Sequence, residues 1–199
     1  MTRSPETLPP GYFEALYQAD PDPWCFAGSV YERGKYDATL AALPRPRYAR
    51  ALEVGCSIGV LTADLAARCD DLLAVDAAEM ALATARRRCA GLPNLAFRRL
   101  WLPDEWPAET GFDLILLSEV LYYLVPADLV RLAARVQGAL RPGGDVLLVH
   151  WTGETDYPLS GDAAADLFIA SVGPAVGLMR QQRHAQYRIN LLRAAPTLG

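Results

Sequence analysis

Short apolar runs alternate with longer amphipathic segments through the middle of the chain. The apolar runs predict five strands, at residues 51–54, 72–75, 95–100, 113–117 and 146–150. The amphipathic segments predict helices at residues 60–68, 78–90 and 126–140. Strands that are apolar throughout and are separated by helices are typical of a parallel sheet covered on both faces. The pattern therefore predicts an α/β fold with a Rossmann-like, doubly wound and mostly parallel sheet.

The two ends of the chain depart from this alternation. Residues 1–11 are rich in proline and are expected to be loose. Further helices are predicted at residues 12–19, 29–43 and 162–172. Two strand-like runs then follow, at 176–182 and 187–192, and the short gap between them suits a hairpin. The sheet should therefore end in an antiparallel hairpin strand, and residues 1–199 are expected to form one domain.

Composition and charge argue against several classes of function. Hydrophobic residues make up 52% of the chain and the formal net charge is −4, which disfavours a general nucleic-acid binder. No apolar run reaches the roughly 18 residues of a membrane helix, and the first residues contain no secretory signal. The 4 cysteines form no C-x-x-C pair, so neither a metal site nor a disulfide framework is expected. We expect a cytoplasmic protein with reduced thiols, and the sequence does not indicate its oligomeric state.

A glycine-containing loop follows the first predicted strand. Gly55, Cys56 and Gly59 lie between that strand and the next helix, at the sheet edge where doubly wound folds bind nucleotides. The spacing is not the G-x-G-x-x-G of a pyrophosphate-binding loop. It resembles the E/D-x-G-x-G-x-G loop of class I methyltransferases, with Ser57 in place of the middle glycine. Taken alone, the loop is equally compatible with a helix cap that binds no ligand.

Later segments extend this resemblance in the same order along the chain. Asp76 ends the second strand, where its carboxylate would accept hydrogen bonds from ribose hydroxyls or cap the next helix. Ser118 ends the fourth strand, and a Pro-Gly-Gly turn precedes the fifth. The class usually has an acidic residue after the third strand, but Trp101 stands there and would either stack on adenine or pack in the core. The resemblance implies S-adenosylmethionine as the cofactor, bound by the following residues: Gly55, Cys56, Gly59, Asp76, Ala77, Met80, Trp101, Leu102, Ser118 and Tyr31.

Four further segments are similar to the nodulation protein S family, from about residue 12 to residue 193. They are Tyr17–Trp24, Tyr31-Glu32 with Lys35-Tyr36, Leu117–Leu124, and His150-Trp151 with Asp156–Leu159. The resemblance implies methylation of a free amine on a deacetylated chitooligosaccharide, with the helices at 12–44 covering the cofactor site. Lys35 would then pair with the methionine carboxylate of the cofactor or remain an exposed helix lysine.

An amine must react in its neutral form, so a neighbouring base or carboxylate would assist. His150, at the end of the fifth strand, and Glu119, after the fourth, are the catalytic candidates, although a histidine ending a strand is often only structural. Tyr122, Tyr123 and Trp151 are candidates for an acceptor surface that stacks on sugar rings, or for core packing.

Several readings of the function remain open at the level of the sequence. The acceptor would be an amino sugar or another small metabolite, methylated on nitrogen or on oxygen. A nicotinamide oxidoreductase is disfavoured by the loop spacing and by the predicted terminal hairpin. A non-catalytic protein with a methyltransferase fold is the remaining alternative, for which Ser57 and Trp101 give some ground.

Overall fold

The computed structural model describes residues 3–196. Seven strands form one sheet in the order β3-β2-β1-β4-β5-β7-β6. The strands are β1 (Tyr48–Val54), β2 (Cys69–Asp76), β3 (Leu95–Arg99), β4 (Phe112–Ser118), β5 (Leu140–Trp151), β6 (Val176–Arg183) and β7 (Tyr187–Ala194). The helices are α1 (Pro10–Ala19), α2 (Val30–Ala42), α3 (Val60–Ala66), α4 (Glu79–Arg88), α5 (Pro126–Ala139) and α6 (Gly161–Ser171). A single 3₁₀ turn, Leu121–Tyr123, follows β4.

The topology confirms the predicted fold class. Strands β1 to β5 are parallel to one another, and β7 pairs antiparallel with both β5 and β6. Every residue of the central strand β4 is buried, because helices cover both faces of the sheet. Ile115 and Leu117 pack with α5 and α6 on one face, and Leu114 and Leu116 pack with α2 and α3 on the other. Successive residues of a strand point to opposite faces, which accounts for this alternation.

Two strands begin earlier than the apolar runs predict. Strands β1 and β2 start at Tyr48 and Cys69, and Arg50 lies opposite Asp71 in their parallel register. The carboxylate of Asp113 accepts hydrogen bonds from the amides of Ala49 and Arg50. Polar partners therefore extend the strands beyond their apolar segments, a feature that hydrophobicity alone does not show.

Strand β5 also begins earlier than predicted, at Leu140 instead of residue 146. Leu140 pairs with Phe112, and the register then shifts so that Leu114 lies opposite Asp145. The intervening Pro-Gly-Gly turn is accommodated as an irregularity within the strand. Gly143 has a φ of +71° there, which glycine adopts without strain.

The N-terminal residues lie against the carboxyl edge of the sheet, whereas residues 1–11 were expected to be loose. Residues 1 and 2 lie outside the described part of the chain. The amide of Ser4 donates to the carbonyl of Asp156 at 2.8 Å, and that of Leu8 donates to the carbonyl of Tyr123 at 3.0 Å. These backbone hydrogen bonds hold the segment before α1 in place.

Residues 3–196 contain no helix with the length and hydrophobicity of a membrane span. Over the same range, no group of three or more His, Cys, Asp or Glu side chains is arranged to hold a metal ion.

Candidate active site

A cavity of about 330 Å³ lies at the carboxyl ends of β1, β2, β4 and β5. Its floor is formed by the strand ends and their loops, and α1 and α2 contribute to its walls. The lining residues that the sequence singled out are Tyr31, Gly55, Asp76, Ala77, Trp101, Leu102, Ser118, Glu119, Tyr122, Tyr123 and Trp151. The volume lies within the range typical of small-molecule sites.

Gly55 is needed where the glycine loop passes the end of β4. Its φ is +80°, and a Cβ atom there would lie 2.4 Å from Cγ1 of Val120 and 2.9 Å from the carbonyl of Ser118. Any larger residue would push the two loops apart. The tight turn therefore brings the ends of β1 and β4 together on one side of the cavity.

Three predicted cofactor-binding residues do not line this cavity. Gly59 begins α3, and a Cβ atom there would lie 3.0 Å from Cα of Ala85 in α4, so this glycine permits the two helices to pack closely. Cys56 is buried beneath the loop in a cluster with Ala74 and Leu82. Met80 lies on the exposed side of α4, with 46% of its surface exposed. These three residues therefore lie outside the cavity that the other predicted cofactor-binding residues line.

Asp76 holds the glycine loop in position. Its Oδ2 accepts the amide of Ser57 at 2.8 Å, and its Oδ1 accepts the amide of Ala78 at 2.9 Å. Burial raises the pKa of Asp76, and the amide hydrogen bonds oppose that rise. A carboxylate can accept about four hydrogen bonds, so each oxygen retains capacity for a ribose hydroxyl. The first turn of α4 is capped instead by Glu14 of α1, whose Oε1 accepts the amide of Glu79 at 2.7 Å.

Ser57 replaces the middle glycine of the loop and keeps a glycine-like backbone, with a φ of +50°. Its hydroxyl is hydrogen-bonded to the hydroxyl of Tyr17 on α1. Tyr17 is buried, and it lines the cavity beside Ser57. The hydrogen bond joins the N-terminal helix to the glycine loop. The sequence placed Ser57 in that loop and Tyr17 in a family-like segment, but it did not indicate that the two are in contact.

Trp101 forms part of the cavity wall and is half-buried. Its indole Nε1 donates to the carbonyl of Leu8 at 3.4 Å, and Leu8 also lines the cavity. This position in the cavity wall favours stacking of Trp101 on a ligand over packing in the core. The indole lines the same cavity as Asp76 and Ala77 and could stack on a purine there.

The carboxylate of Glu119 accepts three hydrogen bonds in the cavity. Its Oε1 accepts a hydrogen bond from Nζ of Lys35 at 2.6 Å, and its Oε2 accepts one from the hydroxyl of Tyr122 and one from the amide of Trp151, both at 2.8 Å. Its φ of +57° is rare for a residue with a side chain. Burial raises the pKa of Glu119, but Lys35 and the Trp151 amide lower it, and the net pKa lies below that of an ordinary glutamate. The carboxylate is therefore ionised at neutral pH.

Lys35 is 3% exposed, unlike the exposed helix lysine considered from the sequence. Its Nζ lies 2.9 Å from Oε2 of Glu32 and 2.6 Å from Oε1 of Glu119. Burial lowers the pKa of Lys35, the two carboxylates raise it, and the net shift is upward. The ammonium already has two anionic partners, so the proposed pairing with a methionine carboxylate would have to compete with them.

His150 does not reach the cavity, although the sequence suggested it as a base acting on the acceptor. The side chain is fully buried, and its Nε2 accepts the amide of Leu121 at 3.2 Å. Burial lowers the pKa of His150 to about 4, so the ring is neutral near pH 7. The 3₁₀ turn covers the end of β5 and separates the imidazole from the cavity.

Aromatic side chains form the wall near Glu119. Tyr122 stacks on Tyr157 with ring centroids 5.4 Å apart, and Tyr123 meets Tyr157 edge to face at 4.7 Å. Tyr31 packs against Tyr187, and its ring lies 5.7 Å from Nζ of Lys35. Tyr157 belongs to a segment that resembles the family, but the sequence did not indicate that it lines the cavity.

Glu53 lies below the glycine loop and is 1% exposed. Its Oε2 has no hydrogen-bond partner within the described part of the chain. Burial raises the pKa of Glu53 to about 7, and the hydroxyl of Thr62 opposes that rise. This glutamate is the acidic residue that precedes the loop in the motif.

The residues of the cavity fit an adenosyl sulfonium cofactor. Asp76 retains acceptor capacity for ribose, Trp101 provides a flat apolar surface, and Gly55 permits close approach to the loop. The acidic groups of the cavity match the positive charge of a sulfonium.

Comparison with known proteins agrees with this assignment. Residues 15–148 match the family model of nodulation protein S. Nodulation protein S of Rhizobium tropici is 34% identical over 133 residues, which are 63% of this chain and 53% of that protein. The chain thus spans about half the length of this curated relative.

Solved structures extend the similarity over more of the chain. A Pseudomonas syringae protein assigned to the methyltransferases is 38% identical, with a TM-score of 0.72 over 83% of this chain and 99% of that one. The Bradyrhizobium japonicum N-methyltransferase NodS in complex with S-adenosylhomocysteine has a TM-score of 0.79 at 21% identity, over 92% of this chain and 97% of that one. The chain therefore belongs to the nodulation protein S family and has the fold of class I S-adenosylmethionine-dependent methyltransferases.

Proposed function

We propose that the protein is an S-adenosylmethionine-dependent methyltransferase that methylates the amine of a small acceptor, and that this acceptor is an amino sugar. The observation that carries the proposal is the ionised carboxylate of Glu119. It lies in the wall of the cavity that also contains the glycine loop and Asp76. A carboxylate held in this way is suited to bind a cationic amine.

The two halves of the cavity have different tasks in this proposal. Asp76, Ala77, Trp101 and Leu102 hold the adenosine, and Gly55 with Ser118 borders the methionine part. Bound S-adenosylmethionine supplies a methyl group on a positively charged sulfur. The acceptor lies on the side of Glu119, against the aromatic wall.

The charge of the cavity favours an amine over an anionic acceptor. Asp76, Glu32 and Glu119 line it, and Lys35 is the only lysine or arginine among its described lining residues. Lys35 is already paired with two carboxylates. A phosphate or carboxylate on the acceptor would lack a free cation, and burying an unpaired charge is costly. An ammonium group would gain attraction in the same place.

Glu119 both holds the acceptor and influences its proton. The amine arrives largely protonated at neutral pH, and its nitrogen must lose a proton before its lone pair can react. Glu119 accepts a hydrogen bond from the ammonium and orients its nitrogen, and because the pKa of Glu119 is lowered, the proton leaves to water. Tyr122 and the Trp151 amide keep the carboxylate fixed, and fixed alignment of reacting groups lowers a barrier by several kcal/mol.

An amino sugar is supported by the aromatic wall and by the family. Tyr157 and Trp151, which line the cavity and are partly exposed, offer apolar surface against which a sugar ring can pack. The Bradyrhizobium japonicum relative is an N-methyltransferase, and the sequence motifs resemble a family that acts on deacetylated chitooligosaccharides.

A panel of acceptors tests the proposal. The protein is incubated with methyl-labelled S-adenosylmethionine and with glucosamine, chitosan oligomers, ethanolamine, phosphoethanolamine or a tricarboxylic acid. We expect label on the nitrogen of the amino sugars, and little transfer to the last two acceptors. Preferred methylation of an anionic acceptor, or no binding of S-adenosylhomocysteine by calorimetry, would contradict the proposal.

A further inference from the structure

His150 is a fully buried polar side chain that has no role in the proposed chemistry. It lies near the end of β5, opposite Arg188 of β7. Its ring meets the ring of Tyr122 edge to face, with centroids 5.6 Å apart. Tyr122 lines the cavity, whereas His150 stands behind it.

The imidazole caps the 3₁₀ turn that follows β4. Leu121 is the first residue of that turn, and its amide donates to Nε2 of His150 at 3.2 Å. The preceding residue, Val120, offers no side-chain cap. The first amides of a helical turn have no partner within the turn, so the histidine provides an acceptor from a different strand.

This arrangement fixes the tautomer of the ring. Since Nε2 accepts a hydrogen bond, the proton of the neutral ring must be on Nδ1. The Nδ1 atom has no hydrogen-bond partner among the described residues, and a buried polar group without a partner costs stability. An apolar side chain at position 150 would avoid that cost but would leave Leu121 uncapped.

The end of β5 therefore holds the loop after β4 at three points. The amide of Glu119 donates to the carbonyl of Val149 at 2.8 Å, and the amide of Trp151 donates to Oε2 of Glu119 at 2.8 Å. The third point is the bond from Leu121 to His150. It is the one nearest to Tyr122, whose hydroxyl donates to Glu119 at 2.8 Å.

We propose that His150 is a positioning residue: by capping the turn at Leu121 it sets the position of Tyr122, whose hydroxyl orients the Glu119 carboxylate toward the acceptor. The proposal rests on the proposed function. It assigns to His150 no contact with the acceptor and no proton transfer. The charged groups that influence the pKa of the ring are Glu119 from the loop after β4, Arg188 from β7 and Lys35 from α2.

The test compares His150→Leu with His150→Gln, whose amide oxygen replaces Nε2 as an acceptor. We expect His150→Leu to lose roughly 10- to 100-fold in kcat, with little change in the dissociation constant of S-adenosylhomocysteine. His150→Gln should recover most of the loss, and the pH profile near neutrality should be the same for both variants and the parent. His184→Leu, which changes the exposed histidine of the β6–β7 turn, is the matched control.

A double-mutant cycle with Tyr122→Phe tests the route of the effect. If His150 acts through the Tyr122 hydroxyl, His150→Leu should cost less than about threefold in the Tyr122→Phe background. Multiplicative losses would overturn the proposal. So would a glutamine variant as poor as the leucine variant, together with loss of a limb of the pH profile near neutrality, because that result would identify a general base.

Hydrogen exchange of the Leu121 amide provides a readout that does not need turnover. We expect protection in the parent and in His150→Gln, and exchange at least about tenfold faster in His150→Leu. Unchanged exchange would refute the capping role. Absence of methyl transfer by the parent, with the exchange pattern as expected, would instead count against the proposed function alone. If His150→Leu does not fold, His150→Met fills similar space and takes its place.

Discussion

The hydroxyl of Tyr17 on α1 is hydrogen-bonded to the hydroxyl of Ser57 in the glycine loop. Ser57 has a φ of +50°, a conformation that costs a residue with a side chain roughly 1–2 kcal/mol and costs glycine little. The serine thus combines backbone strain with a bond to the N-terminal helix, and the two effects oppose each other in the free energy of unfolding.

This opposition can be measured with a pair of substitutions. Tyr17→Phe should lower the free energy of unfolding by about 1 kcal/mol, and Ser57→Gly in the parent should be close to neutral. In the Tyr17→Phe background Ser57→Gly should stabilise the protein by roughly 1 kcal/mol, because only the relief of strain remains. Urea denaturation of the four proteins checks this. Equal effects of Ser57→Gly in both backgrounds would show that the hydroxyl pair contributes nothing.

Asp76→Asn should weaken binding of S-adenosylhomocysteine more than about tenfold, because a hydrogen bond to a charged acceptor contributes roughly 1.5–3 kcal/mol. Calorimetric titration provides the measurement. Asp71→Asn is the control. Asp71 lies in the same strand, but it is exposed and lies near the start of the strand, away from Asp76 at its end. An unchanged dissociation constant in folded Asp76→Asn would remove this carboxylate from the cofactor site.

Trp101→Ala tests the flat surface beside Ala77. Loss of base stacking should reduce cofactor affinity by about 1–3 kcal/mol, with only a modest fall in thermal stability because Trp101 is half-buried. Trp106→Ala is matched in residue type, and Trp106 packs against the core without lining the cavity. It should lower stability and leave the affinity of the folded protein unchanged. The opposite pattern would mean that Trp101 is a packing residue.

Lys35→Met removes the positive charge that opposes the burial of Glu119, so the pKa of Glu119 should rise. Activity that needs the ionised carboxylate is present above this pKa and is lost as the pH falls through it. The acidic limb of kcat/KM should therefore move to higher pH, by about one unit or more, while Lys35→Arg should keep the limb in place. A large loss of S-adenosylhomocysteine affinity without a shift of the limb would support pairing with the methionine carboxylate instead.

Glu53 makes stability depend on pH. Its pKa is about 7 in the folded protein and near 4.3 when the chain is unfolded, so the folded state binds the proton more tightly. The stability contribution of the protonated group is fully present below the unfolded pKa and is lost as the pH rises through the folded pKa. The free energy of unfolding of Glu53→Gln should thus increase relative to that of the parent as the pH rises from about 4.5 to 7, by up to roughly 4 kcal/mol. Guanidinium denaturation at several pH values would reveal a constant difference if Glu53 were not titrating.

The main outline of the cavity can be predicted from the sequence. Apolar runs locate the ends of β1, β2 and β4, and the residues that follow a parallel strand lie at the same edge of the sheet. Gly55, Asp76 and Ser118 follow from that rule alone. Trp101 could be located in the same way, although its environment could not.

Contacts between distant segments could not be predicted from single-sequence patterns. Glu14 reaches the first turn of α4 and Lys35 reaches Glu119, across 65 and 84 positions respectively. Nothing in the local sequence of α2 distinguishes Lys35 from an exposed helix lysine. The arrangement of α1 and α2 against the sheet determines both contacts.

His150 shows a different limit. Its place at the carboxyl end of β5 is evident from the sequence, but access to the cavity depends on what covers the strand end. The 3₁₀ turn at Leu121–Tyr123 is too short to have a periodic pattern, and it covers the imidazole. A titratable residue at the correct edge of a sheet is therefore not necessarily in contact with the ligand.

The order of the strands leaves β3 and β6 at the two edges of the sheet, each with unpaired backbone groups. Arg98 and Arg99 end β3. In β6, Arg180 lies beside a shift in register and Arg183 is the last residue. Edge strands that carry long cationic side chains and irregular pairing resist joining another sheet, which protects a protein from aggregation. The exposed Leu178 and Met179 directly precede Arg180. The charge of Arg180 should therefore disfavour pairing of this apolar part of β6 with a strand of another molecule, as occurs in fibrils.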